Sequence, residues 1–390
     1  MFENPFVPVF GGKPDFFFGR KELLNRFTFA LVDRGSEDRA LFITGNRGCG
    51  KTALLEQFSQ MATEAGWQTI DLNAEKALAG FTRGLVRHDS ATKTMSPEIE
   101  VNVFGSGGHI SGPASSKTVV NSIDDVEVLF LETCRQSKKG VFVSVDEIQK
   151  ISLQDLSVIC GVFQMASRKG FNIILAVAGL PYAHEKVIQY EGCTFMRRAV
   201  HERLGVFAPK EASAAIAEAF SRTKGLSLSD QAHDLLVSKS YGHPYFIQLA
   251  GYYLVALANE KASHGSYAIL QEDVEQAFPA ILAAYERRAL RPIVEALPSS
   301  SGEYLSAMAK VVQTNRTVRT RDVAEALSKT QKATSFARDE LIREGLVVST
   351  GYGELMFNVP YLQAYMLETH PKESEAVLAQ QWGFRKTMNR

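Results

Sequence analysis

Residues 45–52 read GNRGCGKT, a spacing of glycine, lysine and threonine that suits the binding of phosphate groups. Glycines at both ends of this loop let several backbone N–H groups point at phosphate oxygens, through conformations that a Cβ would block. Lys51 can reach the β- and γ-phosphates, and the Thr52 hydroxyl can ligate Mg²⁺. The predicted nucleotide-binding residues are Gly45, Asn46, Arg47, Gly48, Cys49, Gly50, Lys51, Thr52 and Ala53.

A pair of carboxylates follows a second apolar run. Residues 141–147 read VFVSVDE, the pattern of a strand that is buried on both faces and ends in acid. Asp146 is predicted to hold Mg²⁺, usually through water, and Glu147 to orient and deprotonate an attacking water. Alternatively, the pair is only the negative charge common at the start of a helix. The loop at 45–52 favours the metal role.

The elements around these motifs predict an α/β fold. An apolar strand at 39–44 leads into the loop, a helix at 51–65 leaves it, and WQTIDL at 67–72 is typical of the next strand. Helices at 124–138 and 152–168 alternate with strands at 141–146 and 172–179. This order favours a parallel sheet. A Gly-rich turn that binds nothing is the alternative for the loop, and the flanking strand and helix argue against it.

Four stretches of the chain together resemble P-loop ATPases of the AAA+/STAND group. They are FFFGRKELL (16–24), GNRGCGKT, VSVDEIQK (143–150) and YGHPYFIQLAG (241–251). The resemblance is greatest to origin-recognition-like ATPases and their prokaryotic ATP-binding relatives. It implies a P-loop NTPase parallel sheet, followed by an all-α lid and a winged-helix domain. ATP or ADP with Mg²⁺ is the ligand that it implies.

The resemblance also implies residues at the two edges of the nucleotide. In these families the segment before the first helix lies against the adenine, which makes Gly19 and Arg20 candidates, although a capped surface helix explains them nearly as well. Arg197 and Arg198 occupy the region in which the family places an arginine finger that completes a neighbouring subunit's site. A solvated arginine pair is the alternative.

The lid carries a further signature. Residues 242–244, Gly-His-Pro, resemble the GxP motif of STAND lids, in which the proline packs on the nucleotide. His243 is a candidate phosphate contact, and Pro244 a candidate nucleotide contact. Proline in a first helical turn is also ordinary capping, and lone histidines are more often structural.

Two departures from the family pattern predict slow hydrolysis. The strand at 172–179 ends in Ala178 and Gly179, followed by Leu180 and Pro181, so no side chain there can report on the γ-phosphate as a polar sensor does. The usual lid arginine of AAA+ proteins is also absent from the helix start at 244. Both features favour a switch over a processive motor.

The predicted domains are an ATPase core at 1–208, a helical lid at 209–290, a winged helix at 291–370 and a tail at 371–390. Within the core, residues 85–122 interrupt the pattern with Gly, Ser and Thr, and EIEVNVFGSGGHIS is typical of a hairpin. This segment is either an exposed loop or a contact for a partner.

The winged-helix segment spans 317–360, with its wing turn at GYG. Its second helix is predicted to present Lys332, Ser335 and Arg338, with Arg343 near its end. Acidic neighbours at 339, 340 and 344 interrupt that basic face. Duplex DNA binding and packing against other protein surfaces both stay open, and the basic tail WGFRKTMNR can add non-specific contacts.

Composition places limits on the alternatives. The 390 residues carry 43 Lys and Arg against 43 Asp and Glu, which argues against binding nucleic acid or membrane over the whole surface. There is no signal peptide and no run that spans a bilayer, so we expect a cytoplasmic protein. The four cysteines have no metal-binding spacing and fit reduced thiols.

The sequence therefore predicts an ATP- and Mg²⁺-dependent ATPase that acts as a molecular switch. Three hypotheses remain. In the first, the protein is associated with duplex DNA. In the second, it is a STAND-like signalling or defence switch that responds to a protein partner. In the third, it binds nucleotide but has lost hydrolysis. Homo-oligomerisation follows if the arginine finger acts in trans.

Overall fold

The computed structural model describes residues 1–8, 17–89, 98–101, 108–110, 117–120, 122–262, 265–312 and 317–367. The chain divides into two compact units. We call Arg20–Gly45 with Lys51–Leu204 the sheet unit, and Met1–Gly19 with Asn46–Gly50 and Gly205–Arg390 the helical unit. Residues 46–50 of the loop motif group with the helical unit, and Lys51 and Thr52 group with the sheet unit.

The main sheet of the sheet unit is formed by β1 (Ala40–Gly45), β2 (Gln68–Asn73), β6 (Val141–Asp146), β7 (Ile173–Gly179) and β8 (Val200–Leu204). These five strands are parallel and lie in the order β2-β6-β7-β1-β8. All seven residues of β7 are buried, and β6 is buried up to its terminal carboxylate. These β-branched, apolar runs form central strands because helices cover both faces of a parallel sheet.

Six α-helices alternate with the strands in the described part of the sheet unit. They are α1 (Lys21–Val32), α2 (Lys51–Glu64), α3 (Ala77–Asp89), α4 (Ile123–Gln136), α5 (Leu153–Arg168) and α6 (Pro181–Gln189). Helix α4 begins with a capping box, in which the Ser122 side chain accepts from the Asp125 N–H and Asp125 accepts from the Ser122 N–H. The predicted parallel α/β sheet is confirmed.

The interrupting segment contains more regular structure than the sequence predicts. Helix α3 continues to Asp89, so the break begins later than residue 85. The predicted hairpin is present as antiparallel strands β3 (Glu98–Val101) and β4 (Gly108–Ile110), and β5 (Lys117–Val120), which we did not predict, pairs parallel with β3. Most of the GSGG turn lies outside the described residues.

The helical unit contains four long helices within residues 209–290, the range predicted as the lid. They are α7 (Pro209–Ser221), α8 (Asp230–Ser240), α9 (Pro244–Lys261) and α10 (Gln271–Tyr285). Two short strands, β9 (Leu226–Leu228) and β10 (Tyr267–Ile269), pair in parallel and were not predicted. After α10, a π-helical turn at Glu286–Leu290 leads into the short helix α11 (Arg291–Glu295).

The C-terminal module contains helices and a small three-stranded sheet. Its elements are α12 (Ser299–Val311), β11 (Val318–Arg319), α13 (Thr320–Ala326), α14 (Gln331–Arg343), β12 (Val347–Gly351), β13 (Glu354–Phe357) and α15 (Leu362–Leu367). Strands β12 and β13 are antiparallel around the turn at Tyr352 and Gly353, and β11 pairs with β13. The tail at 371–390 lies outside the described residues.

The lid helices and the C-terminal module share one hydrophobic core. Tyr361 stands at its centre: its ring stacks on Phe246 of α9, with ring centroids 5.2 Å apart, and its hydroxyl donates to the Lys239 carbonyl at 2.7 Å. Because this core is continuous, the lid helices and the C-terminal module belong to one compact unit. Among the described residues, no helix is long and apolar enough to cross a bilayer.

Candidate functional site

Lys51 is the first residue of α2, and its side chain is held against the start of the loop motif. The residue is only 6% exposed, and its ammonium donates to the Gly45 carbonyl at 2.9 Å. A helix N-terminus and a buried ammonium both favour anionic ligands. The predicted phosphate-binding lysine therefore lies at the carboxyl end of β1, where the fold concentrates positive potential.

Thr52 and Asp146 converge although 94 residues separate them. The Thr52 hydroxyl donates to Asp146 Oδ2 at 2.6 Å, and the other carboxylate oxygen accepts the Glu147 N–H at 2.8 Å. Mg²⁺ prefers oxygen ligands and commonly binds through one carboxylate together with phosphates. The hydroxyl oxygen keeps lone pairs for a metal while it donates to the carboxylate. The side chains of Thr52 and Asp146, which the sequence predicts as Mg²⁺ ligands, thus have oxygen atoms that fit this ion.

Glu147 lies at the carboxyl end of β6 in a left-handed conformation, with φ of 55°. That conformation is uncommon outside glycine, and a non-glycine residue held in it costs about 1–3 kcal/mol. The Glu147 carboxylate accepts a hydrogen bond from Gln149 Nε2 at 2.7 Å, and Gln149 Oε1 accepts the Leu180 N–H at 3.1 Å. The strained backbone and the glutamine together fix where the predicted base points.

Loop residues 46–50 are held by the start of α9. The His243 Nδ1 atom accepts the Phe246 N–H at 3.4 Å, which caps the helix, and its Nε2 atom lies 3.3 Å from the Arg47 carbonyl oxygen. Since a backbone carbonyl can only accept, Nε2 carries the proton. The Tyr245 N–H also donates to the Gly48 carbonyl at 3.3 Å. His243 therefore contacts the loop backbone, and Pro244 begins the helix behind it.

Gly48 is required by this close approach. Its φ of +75° disfavours any side chain, and a Cβ at this position would lie 2.5 Å from His243 Cε1. The loop and the Gly-His-Pro motif are thus matched in shape, a relationship that the spacing of either motif alone does not predict.

The end of α14 contacts the same loop. Arg47 forms an ion pair with Glu344 at 3.3 Å, and an added Cβ at Gly345 would meet Asn46 Oδ1 at 2.2 Å. Within the helical unit, the C-terminal module therefore lies directly against the loop residues. Glu344 attracts attention in the sequence only as an interruption of a basic face, so its contact with the loop was missed.

The structure places the remaining predicted residues at separate points. Gly19 lies beside Phe207 and Glu211 in the helical unit. Arg20 stands before α1 in the sheet unit, with φ of 55°. Arg197 and Arg198 are both exposed, and Arg197 Nε donates to the Ile188 carbonyl at 2.7 Å. Nothing in these contacts identifies an adenine or a partner subunit.

Two histidines next to β1 were not predicted. His201 Nε2 lies 2.8 Å from the Thr44 hydroxyl oxygen, and its ring stacks on His184 with the centroids 3.7 Å apart. Burial, followed by the charges of His184 and Arg203, lowers the pKa of His201 to about 4. Burial is also the largest cause that lowers the pKa of His184. Two neutral, stacked rings therefore support the strand that leads into the loop.

Comparison with known proteins agrees with this geometry. Residues 17–175 match the family model of the AAA ATPase domain. The matched part of the chain, which is less than half of it, is similar to AAA ATPase domains. Residues 287–366 match a domain of unknown function (DUF8462), which covers the C-terminal module. No curated protein matches the chain.

Solved structures match nearly the whole chain. The ORC2 protein of Aeropyrum pernix, in its ADPNP and ADP complexes, is 16% identical with a TM-score of 0.64, over 97% of this chain and 99% of that one. Its ADP form gives 15% identity and a TM-score of 0.55, over 98% and 99%. Cdc6p of Pyrobaculum aerophilum is 14% identical with a TM-score of 0.50, over 97% of each chain. At these identities the likeness is one of fold.

Proposed function

We propose that the protein is an Mg²⁺-dependent ATPase that works as a nucleotide-controlled switch. The observation that carries this proposal is the contact between Thr52 and Asp146 at 2.6 Å, directly before Glu147. It joins the residue after the predicted phosphate-binding lysine to the acidic strand end, and so brings together two oxygen ligands of the kind that Mg²⁺ prefers. The AAA ATPase match supports the same activity.

In this proposal ATP or ADP binds at the loop motif. The amides of residues 46–50 and the Lys51 ammonium neutralise phosphate charge, with Ala53 following in the same motif. Gly19 and Arg20 are the candidates beside the adenine. Thr52 and Asp146 would hold Mg²⁺, which when bound supplies positive charge to the phosphate oxygens. We place the protein in the cytoplasm, in keeping with four buried cysteines that form no disulfide.

Glu147 would act as the general base. Its carboxylate takes a proton from water as the water oxygen attacks the γ-phosphorus and the bond to the β-phosphate oxygen breaks, leaving ADP and phosphate. The hydrogen bond from Gln149 keeps one oxygen of the base occupied and the group oriented. Such positioning supplies much of the rate in phosphoryl transfer, because the enzyme forms no covalent bond itself.

The switch would run through the contacts that loop residues 46–50 make inside the helical unit. A ligand can move an equilibrium only if it binds one state better than the other. A loop that accepts the Tyr245 N–H, meets His243 and pairs Arg47 with Glu344 is placed to lose or gain those contacts when phosphate binds. We propose that this linkage transmits the nucleotide state to the C-terminal module.

We interpret the C-terminal module as a winged helix, and its charges favour a protein-responsive switch over one that tracks DNA. On α14, Arg338 pairs with Asp339 at 2.8 Å and Arg343 pairs with Glu340. Cations already paired with carboxylates contribute less to phosphate binding. Duplex DNA remains the alternative partner, through exposed Lys332 and the basic tail. Exposed Arg197 and Arg198 are the candidates for a finger in a homo-oligomer.

Steady-state ATP hydrolysis with and without duplex DNA tests this proposal. We expect a slow, Mg²⁺-dependent rate that Glu147→Gln abolishes and that DNA leaves unchanged. A rate that rises several-fold with DNA, at low and at physiological salt, would favour the DNA-associated hypothesis instead. If the protein binds ATP and neither wild type nor variant hydrolyses it, the ATPase proposal is wrong.

A further inference from the structure

Strand β7, which ends beside Glu147, has no polar side chain at its end, but Gln149 from another turn contacts it. Strand β7 ends in Ala178 and Gly179, both buried, and the chain continues with Leu180. The side chain of Gln149, from the turn after β6, reaches across to the backbone of Leu180. This contact lies entirely within the sheet unit and joins the ends of two neighbouring strands.

The orientation of the Gln149 amide is fixed by chemistry. The Leu180 N–H can only donate, so the atom that it faces, 3.1 Å away, must be the amide oxygen. The amide nitrogen is then the atom 2.7 Å from Glu147 Oε2, and an ionised carboxylate can only accept. Each end of the glutamine therefore has one possible partner, and the two hydrogen bonds fix its side chain between them.

Gly179 leaves the space that this side chain occupies. A Cβ at position 179 would lie 2.7 Å from Gln149 Oε1 and 2.5 Å from Ile148 Cγ2. Carbon atoms do not approach that closely, so any larger residue would displace the glutamine or the turn. The Gln149 side chain can therefore reach the end of β7 only because position 179 has no side chain.

We infer that Gln149 is a positioning residue for hydrolysis: it ties the Glu147 carboxylate to the end of β7 through the Leu180 N–H. The inference rests on the proposed role of Glu147 as the base. Gln149 itself transfers no proton. It holds one carboxylate oxygen in the direction that the left-handed backbone of Glu147 sets, which leaves the other oxygen to face water. A base misplaced by about 1 Å can lose about 100-fold in rate.

Two substitutions separate this role from a merely structural one. Gln149→Leu removes both hydrogen bonds, and we expect kcat to fall about 10- to 100-fold while KM for ATP stays within about twofold. Gln149→Glu retains an acceptor for the Leu180 N–H but repels Glu147, so kcat should fall while hydrogen exchange of the Leu180 amide stays as slow as in wild type. Gln154→Leu, an exposed glutamine on α5, is the matched control and should keep the wild-type kcat.

Three results would overturn the inference. One is a wild-type kcat in Gln149→Leu. Another is a loss of kcat accompanied by an equal rise in KM and a lower melting temperature, which would indicate a structural role. The third is a full kcat in Gln149→Glu.

A wild type that binds ATP without turnover would contradict the proposed ATPase activity rather than the tether. Exchange of the Leu180 amide then decides the tether by itself. It should be faster in Gln149→Leu than in wild type, and an unchanged rate would show that the contact is not made.

Discussion

The ends of β6 and β7 are neighbours in one parallel sheet and carry opposite chemistry. Strand β6 ends in two carboxylates, of which Asp146 contacts Thr52 and Glu147 contacts Gln149. Strand β7 ends in alanine and glycine. A strand end without polar side chains can therefore still take part in a site, because Gln149 from the neighbouring turn fills the space that Gly179 leaves.

The largest effect on the β6 side should come from Asp146→Asn. The amide keeps an oxygen but loses the negative charge that favours a divalent cation, so the Mg²⁺ concentration for half-maximal hydrolysis should rise about 10- to 100-fold. Titration of hydrolysis with Mg²⁺ measures this. Asp124→Asn, an exposed acid at the start of α4, is the matched control. An unchanged Mg²⁺ requirement would remove Asp146 from the metal site.

A smaller effect is expected on the β7 side from Gly179→Ala. The new Cβ would crowd Gln149 and Ile148, so kcat should fall about tenfold with ATP affinity retained. Steady-state kinetics and ATP binding by fluorescence separate the two quantities. If Gly179→Ala hydrolyses ATP at the wild-type rate, the two strand ends are not coupled.

The end of β1 differs from both. There the Thr44 hydroxyl contacts His201, which takes no part in the proposed hydrolysis. The pKa of His201 is depressed from 6.5 to about 4, so the unfolded chain binds a proton more readily than the folded one. This contribution to stability is fully present above pH 6.5 and is lost as the pH falls toward 4. Between pH 7.5 and pH 5 the free energy of unfolding should therefore fall by about 1 kcal/mol less in His201→Asn than in wild type. This figure allows for the partial exposure of the ring.

Melting temperatures of the wild type and His201→Asn across pH 7.5 to 4 measure this difference. Parallel curves over the whole range would mean that His201 titrates in the folded protein much as it does in the unfolded chain. Hydrolysis at pH 7.5 should change little, in contrast to the substitutions at the ends of β6 and β7.

Much of the sheet unit could be predicted because its signals are local. A buried strand of β-branched residues, a glycine loop and an amphipathic helix each follow from a short window of sequence, and β1, α2 and β6 were found within a residue or two. Asp146 was assigned to the metal because an acid after a buried strand is a local pattern. The structure places it in contact with Thr52, and its metal role stays a prediction.

The missed features depend on contacts distant in sequence. Leu180 lies 31 residues from Gln149, and Glu344 lies 297 residues from Arg47. No periodicity encodes such pairs. The short strands β5, β9 and β10 were missed because three or four residues are too few for an alternation to show. His243 was read as a phosphate candidate from its motif, whereas its helix-capping contact appears only once α9 is in place.

The fate of one equivalent of ATP tests the central claim most directly. Wild type, Glu147→Gln and Lys51→Ala are each mixed with equimolar ATP and excess Mg²⁺, and bound and free nucleotides are separated and identified over time. We expect wild type to convert ATP to ADP and Lys51→Ala to bind neither nucleotide. Glu147→Gln should retain ATP at least 100-fold longer than wild type, because removal of a general base typically costs about 10²–10⁴ in rate. If Glu147→Gln forms ADP at the wild-type rate, Glu147 is not the base and the proposed mechanism is wrong.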